Sequence, residues 1–194
     1  MNAAALAYAA PQEEALFQSA HSALLFAYTF SGDRYERPII NKLAAPSRNS
    51  GKGLGGVDGA AQAGMIRRET ETLPGLQGKI LIARIAPQSI ACDCNAACCS
   101  GKQPNQEWAL AVQELTRGCM TVLSGCMSHH RLRLAIVQKY FGLRVSLSEI
   151  AEHCGVNRDT ASHHNNKIVK HLRAEESKAW GEIEDKLRKL GVVG

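Results

Sequence analysis

Four of the seven cysteines fall in one short run, Cys92-Asp93-Cys94-Asn95-Ala96-Ala97-Cys98-Cys99. Thiolates are soft ligands, and a structural zinc ion takes four such donors on a tetrahedron. The spacing C-x-C-x3-C-C departs from the common C-x2-C knuckle. Three of Cys92, Cys94, Cys98 and Cys99 would share one ion, with a fourth donor from elsewhere; Cys119, Cys126, His129 and His130 are the candidates. Zinc is therefore the expected cofactor, and free thiols are the plain alternative. No C-x-x-C pair is present to act as a dithiol redox couple. A catalytic zinc would need an open site beside a carboxylate, which Asp93 alone does not establish. Disulfide frameworks belong to oxidising compartments, and nothing in the chain marks secretion.

The second chemically loaded region is basic. The 194 residues carry a net charge of +5. Residues 131–173 hold eight basic and three acidic side chains, a surplus equal to that of the whole chain, together with four of the seven histidines. A concentrated basic patch favours a polyanionic partner; a solubilising face is the bland alternative.

The same region has helix-turn-helix spacing. Arg131 to Phe141 reads as a helix with Leu132, Ile136 and Val137 inward, ended by Gly142. Ser146-x-x-Glu149 forms a capping box that opens a second helix, with Leu147, Ile150, Ala151 and Cys154 on one face. Gly155 supplies the positive φ of the turn, Val156 plugs the corner, and Asn157 caps a third helix from Arg158 to about His171. In this frame the third helix enters the major groove of double-stranded DNA, its N-terminal residues facing base edges. Arg158, Asp159, Ser162 and His163 are the exposed candidates, with Thr160 at the flank. Arg158 suits guanine, and Asp159 suits cytosine or the positive end of the helix dipole. Lys167 and Lys170 suit phosphates, as do Arg131, Arg133 and Arg144 with the Ser146 and Asn157 caps. His164 is expected partly inward.

The run SLSEIAEHCGVNRDTASHHNNKIVKHL resembles region four of the bacterial primary sigma factors. The shared order is Glu-Ile-Ala, a Gly-Val turn, a capping residue, then an arginine and an acid. The resemblance implies that Arg158 and Asp159 read bases. His164 stands where the family has an apolar residue, and Ser162 where it has a base-reading arginine, so sequence preference should differ. The rest of the chain does not look like a sigma factor. A second resemblance, of layout, covers more of the chain: the segment GKGLGGVDGAAQAGM, the CDCNAACCSG cluster and this motif together look like the late-gene antitermination (Q-type) proteins of tailed phages. It implies a bacteriophage or prophage regulator that binds near a late promoter in the bacterial host cytoplasm and captures paused bacterial RNA polymerase.

These motifs need a helical frame. Residues 1–45 read as an N-terminal helical segment, helical from Ala3 to Phe30 and again briefly after Pro38. The alanine-rich start could pass for a signal peptide, but acids follow at Glu13 and Glu14 without a basic lead. Residues 46–59 form a glycine-rich basic loop. Gly53-Leu54-Gly55 imitates the opening of a dinucleotide motif without completing it, so the loop is a connector or a phosphate-backbone contact through Arg48 and Lys52. Residues 60–128 form a helical region with the cysteine-rich insert. Ala60 to Thr72 and Asn105 to Leu123 are helices, while KILIARIA is a strand or a buried helix. Residues 129–194 form the helix-turn-helix with a trailing helix, Arg173 to Leu190. The Trp180, Ile183, Leu187 and Leu190 seam of that helix serves either the chain's own core or a homodimer. No apolar stretch is long enough to span a membrane.

The expected class is thus mainly α, and the expected function is sequence-specific transcription regulation, an antiterminator first. A simple helix-turn-helix repressor or activator, or a phage small terminase-type packaging adaptor, are the alternatives. An enzyme such as a recombinase or nuclease is disfavoured because no acidic cluster for two metals is visible.

Overall fold

The computed structural model describes residues 15–30, 54, 56–92, 94, 96, 99–123 and 129–194. Among these the protein is mainly helical, with seven α-helices, one small ribbon and a cysteine cluster in mid-chain.

Helix α1, Ala20–Thr29, starts where Ser19 and Ser22 cap each other reciprocally, each side-chain oxygen accepting from the other's amide at 3.3 Å. Its inward face is Ala20, Ala23, Leu24, Ala27 and Tyr28. The helix expected from Ala3 is shorter in its described part: residues 15–19 are non-helical, and residues 1–14 lie outside the described set. Helix α2, Gly56–Glu71, buries Gly59, Ala63, Ile66 and Thr70, one stripe at helical spacing. The residues expected to close the glycine-rich loop, Gly56 to Gly59, are instead its first turn, where Asp58 meets the positive end of the dipole. Arg48 and Lys52 lie outside the described residues.

The ambiguous apolar run is a helix, α3, Gln77–Ile85. It is buried on nearly every side because α1, α2 and the later helices Gln106–Gly118 and Arg158–Lys189 all pack on it. A helix covered all round loses its amphipathic period, so periodicity could not decide its type. Strands β1, Ser89–Ala91, and β2, Lys102–Pro104, then pair antiparallel, Ile90 opposite Gln103. This exposed ribbon carries the cysteines and had no signal in the sequence pattern. Asn105 ties its base to the body: its side chain donates to the Pro87 carbonyl at 2.8 Å and its amide to Gln88 at 3.0 Å. The same Asn105 caps α4, Gln106–Gly118, which buries Trp108, Val112 and Leu115; Trp108 Nε1 donates to the Ala83 carbonyl.

Helices α5, His130–Tyr140, and α6, Leu147–Cys154, precede α7, Arg158–Lys189. The two helices expected after Asn157 are one helix of 32 residues. Between His171 and Arg173 there is no glycine, proline or cap, and Leu172 to Glu176 are strong helix formers. Its first half buries Ala161, His164, Ile168 and Leu172; its second half buries Ala179, Ile183 and Leu187 against α1, α2 and α3. The seam that offered a dimer face is therefore spent on the chain's own core at Ile183 and Leu187, with Trp180 stacked on His21 and Leu190 exposed. The chain beyond α7 returns to the segment before α1. Phe17 donates to the Val192 carbonyl at 3.0 Å, and Phe17 bridges Val193 in parallel. No helix among the described residues is long and apolar enough to cross a membrane.

Candidate functional site

The β1–β2 register brings the two ends of the cysteine run together. Cys92 follows β1 directly, and its amide donates to the Gly101 carbonyl at 3.0 Å. Gly101 takes φ +73, a conformation that suits glycine, and its amide points at Cys99 Sγ, 3.4 Å away. Cys99 in turn donates from its amide to the Ala96 carbonyl. The sulfurs of Cys92, Cys94 and Cys99 consequently lie within 4.8 Å of one another. Zinc-bound sulfurs sit about 2.3 Å from the ion, so a small inward movement would let all three ligate one centre. Cys92 and Cys99 are half-buried and Cys94 is exposed. The Ala96 backbone, then Cys99 and Cys92, hydrogen-bond Cys94 and hold its thiol below the usual range, favouring the thiolate that a metal requires. These residues could hold a metal ion.

Cys98, Cys126 and Asp93 lie outside the described residues. Cys119, a candidate fourth donor, is elsewhere: it caps the end of α4 inside the core, where burial pushes its thiol up to about 11. The cluster of described ligand atoms does not include His129 or His130, which stand exposed at the start of α5.

The second candidate surface is built by α5, α6 and α7. Ser146 and Glu149 form the expected capping box, the Ser146 amide donating to Glu149 Oε2 at 2.7 Å and the Glu149 amide to Ser146 Oγ at 3.2 Å. Ile150 and Ala151 are buried, and Leu147 and Cys154 pack partly beside them. Gly155 then takes φ +63, and the Val156 amide returns to the Ala151 carbonyl at 3.0 Å. Asn157 caps α7 by accepting from the Asp159 amide at 2.9 Å. The serine and asparagine side chains thus hold the helix starts, and Arg158, Asp159 and Thr160 project as an exposed first turn. His163, Lys170, Arg131 and Arg144 are also exposed; Ser162 and Lys167 are half-buried.

Two expectations change in this region. Arg133, expected on the outside, is only 4% exposed and donates through Nε to the Thr116 carbonyl at 3.3 Å. It is buried on the same helix as Leu132, Ile136 and Val137 and reaches α4 through that bond. His164 is 2% exposed, fully rather than partly inward. The sequence matches no protein-family model and no curated protein.

Proposed function

We propose that the protein is a sequence-specific DNA-binding regulator of transcription, with α6 and α7 acting as a helix-turn-helix. The observation that carries this is the α6–Gly155–α7 corner. It combines a left-handed glycine and buried small residues, Ala151 and Ala161, with a first turn of α7 whose Arg158, Asp159 and Thr160 are free to face bases. The basic surplus of residues 131–173 supports a duplex as the partner. Arg158 would take guanine, Asp159 would accept from cytosine, and Arg144 and Lys167 would meet phosphates.

Within that class we favour an antitermination protein acting on bacterial RNA polymerase in the host cytoplasm. The support is the resemblance in layout: a mid-chain cysteine cluster followed by a C-terminal DNA-binding unit. We further take the ion of the cysteine cluster to be zinc, because a thiol-rich set closed by a short ribbon suits a structural zinc ion. Cys92, Cys94 and Cys99 would hold it and fix the tip of the ribbon.

The test is a footprint on the DNA around the protein's own gene and the next promoter downstream, with and without RNA polymerase. A discrete footprint that extends when polymerase is added is the expected result. A footprint indifferent to polymerase would leave a simple repressor or activator. The absence of any footprint at moderate salt would remove the DNA-binding assignment itself.

A further inference from the structure

A concave basic surface lies apart from the first turn of α7. An open cleft of about 690 Å3 forms where α3, the α5–α6 connection and the middle of α7 meet. Arg84, Lys139, Arg144 and Arg173 line it, with Asn165 and Tyr140. The four cations are not equivalent. Arg84 is neutralised by Glu176 and lies 4.9 Å over the Tyr140 ring, forming a wall. Lys139 spends one proton on the Val145 carbonyl, which fixes its ammonium and leaves two protons for an outside acceptor. Arg144 and Arg173 are exposed and make no ion pair among the described residues.

We propose that this cleft takes a phosphodiester of the DNA backbone, extending the contact with the duplex along α7 as far as Arg173. The inference rests on the DNA-binding assignment above. Arg158, Ser162, Asn165, Val169 and Arg173 step by four, three, four and four residues, so they form one stripe of α7. The stripe is about 22 Å long at about 1.5 Å per residue, the axial length of about six base pairs at about 3.4 Å each. Arginine forks bind phosphate oxygens in pairs, and the Asn165 amide adds a neutral donor. The exposure of Arg144 and Arg173 leaves the cleft open to a long chain passing through it.

The experiment measures DNA affinity of the full chain across a salt series for the natural protein, Arg158→Ala, and the double variant Arg144→Gln/Arg173→Gln. Each lost phosphate contact lowers the log–log salt slope by about 0.9. The double variant should lose about one to two units of slope and at least tenfold affinity at low salt, with unchanged base preference. Arg158→Ala should instead relax base preference. If the double variant keeps the natural slope while Arg158→Ala weakens binding, the cleft assignment falls and the DNA-binding assignment stands. If the double variant keeps its DNA slope but loses binding of inorganic pyrophosphate shown by the natural protein, the cleft is a small-anion site and the backbone assignment is overturned. If the natural protein binds no DNA, both fall together.

Discussion

Arg84 grips Glu176 with two parallel hydrogen bonds, Nε to Oε1 at 2.7 Å and Nη2 to Oε2 at 2.9 Å, and so ties α3 to the middle of α7. Tyr140 adds a third bond, donating to Oε2 at 2.5 Å, which brings α5 into the same junction. Burial alone would raise the Glu176 carboxyl, but the hydrogen bonds and charge of Arg84, with Tyr140, outweigh it and hold it below the usual range. A carboxyl depressed in the folded state stabilises above its ordinary pKa of about 4.3, and that contribution is lost as pH falls through the lower folded value. Glu176→Gln should therefore cost about 1–2 kcal/mol near neutrality, and urea titrations should show the difference shrinking below about pH 4. A difference that stays constant down to pH 3 would mean that packing, not charge, holds the junction.

Gly155 offers a cleaner backbone test. A Cβ there would meet nothing within 4 Å, so Gly155→Ala adds no clash and leaves only the left-handed φ of +63° to strain. Melting should show a loss of about 1–2 kcal/mol, and Gly155→Asn should recover part of it. Equal stability of the alanine variant would contradict the turn geometry.

Arg158 is exposed and donates to no carboxylate among the described residues, so truncating it should leave the fold intact. Under the proposed function, Arg158→Ala should weaken specific DNA binding by about 1–3 kcal/mol and relax preference at one base pair. Unaltered selectivity in a binding-site selection would displace the recognition surface from this turn.

Under the proposed function, the zinc of the cysteine cluster should be directly measurable. Elemental analysis of protein purified without chelator should find about one zinc per chain, and cobalt exchange should give the thiolate-to-metal bands of tetrahedral sulfur ligation. Cys94→Ser should lower metal affinity without unfolding the helices, because its ribbon is exposed and contributes none of the buried apolar residues. Metal well below one per chain would leave the cluster as free thiols.

His164 provides a pH handle. Burial first, then the charges of His163 and Lys167 on α7, of His129 just before α5 and of Arg133 on α5, press its pKa below the usual 6.5. Its Nδ1 and Arg133 Nη1 are both buried without a hydrogen-bond partner among the described residues. A depressed histidine contributes stability above about pH 6.5, and the contribution is lost as pH falls through the folded value. Unfolding free energy should thus fall as pH drops below about 6.5. His164→Leu, which suits the apolar face it occupies, should flatten that slope; an unchanged slope would assign it to other groups.

Much of this is legible in the sequence, and the gaps have physical causes. The Ser146–Glu149 box, Gly155 and the Asn157 cap are local devices, each recognisable within a few residues, and all three recur in the fold. The cysteine run Cys92 to Cys99 stands out in the sequence as a ligand set of which three members would share an ion, but which three come together depends on the ribbon that folds the run back on itself, and Cys98 lies outside the described residues. That ribbon is not legible in the sequence, because Ser89–Ala91 and Lys102–Pro104 are short, exposed and without alternation. Arg133 was misplaced because its charge outweighed its position on α5, where the Thr116 carbonyl of α4 awaits a donor. The break expected near Arg173 is absent because nothing in the sequence there stops a helix, while the buried partners of α7 change from α5 and α6 to α1, α2 and α3 along its length.

The Glu184 carboxylate accepts from the Ala20 amide at 3.0 Å across 164 residues of chain. At about 5–20 residues per second on the ribosome, α1 waits about 10–30 s for that partner. Until then Ala20, Ala23 and Leu24 lack the share of their cover that α7 supplies in the finished fold. Slower synthesis lengthens the interval in which this part of the α1 face is open to other chains.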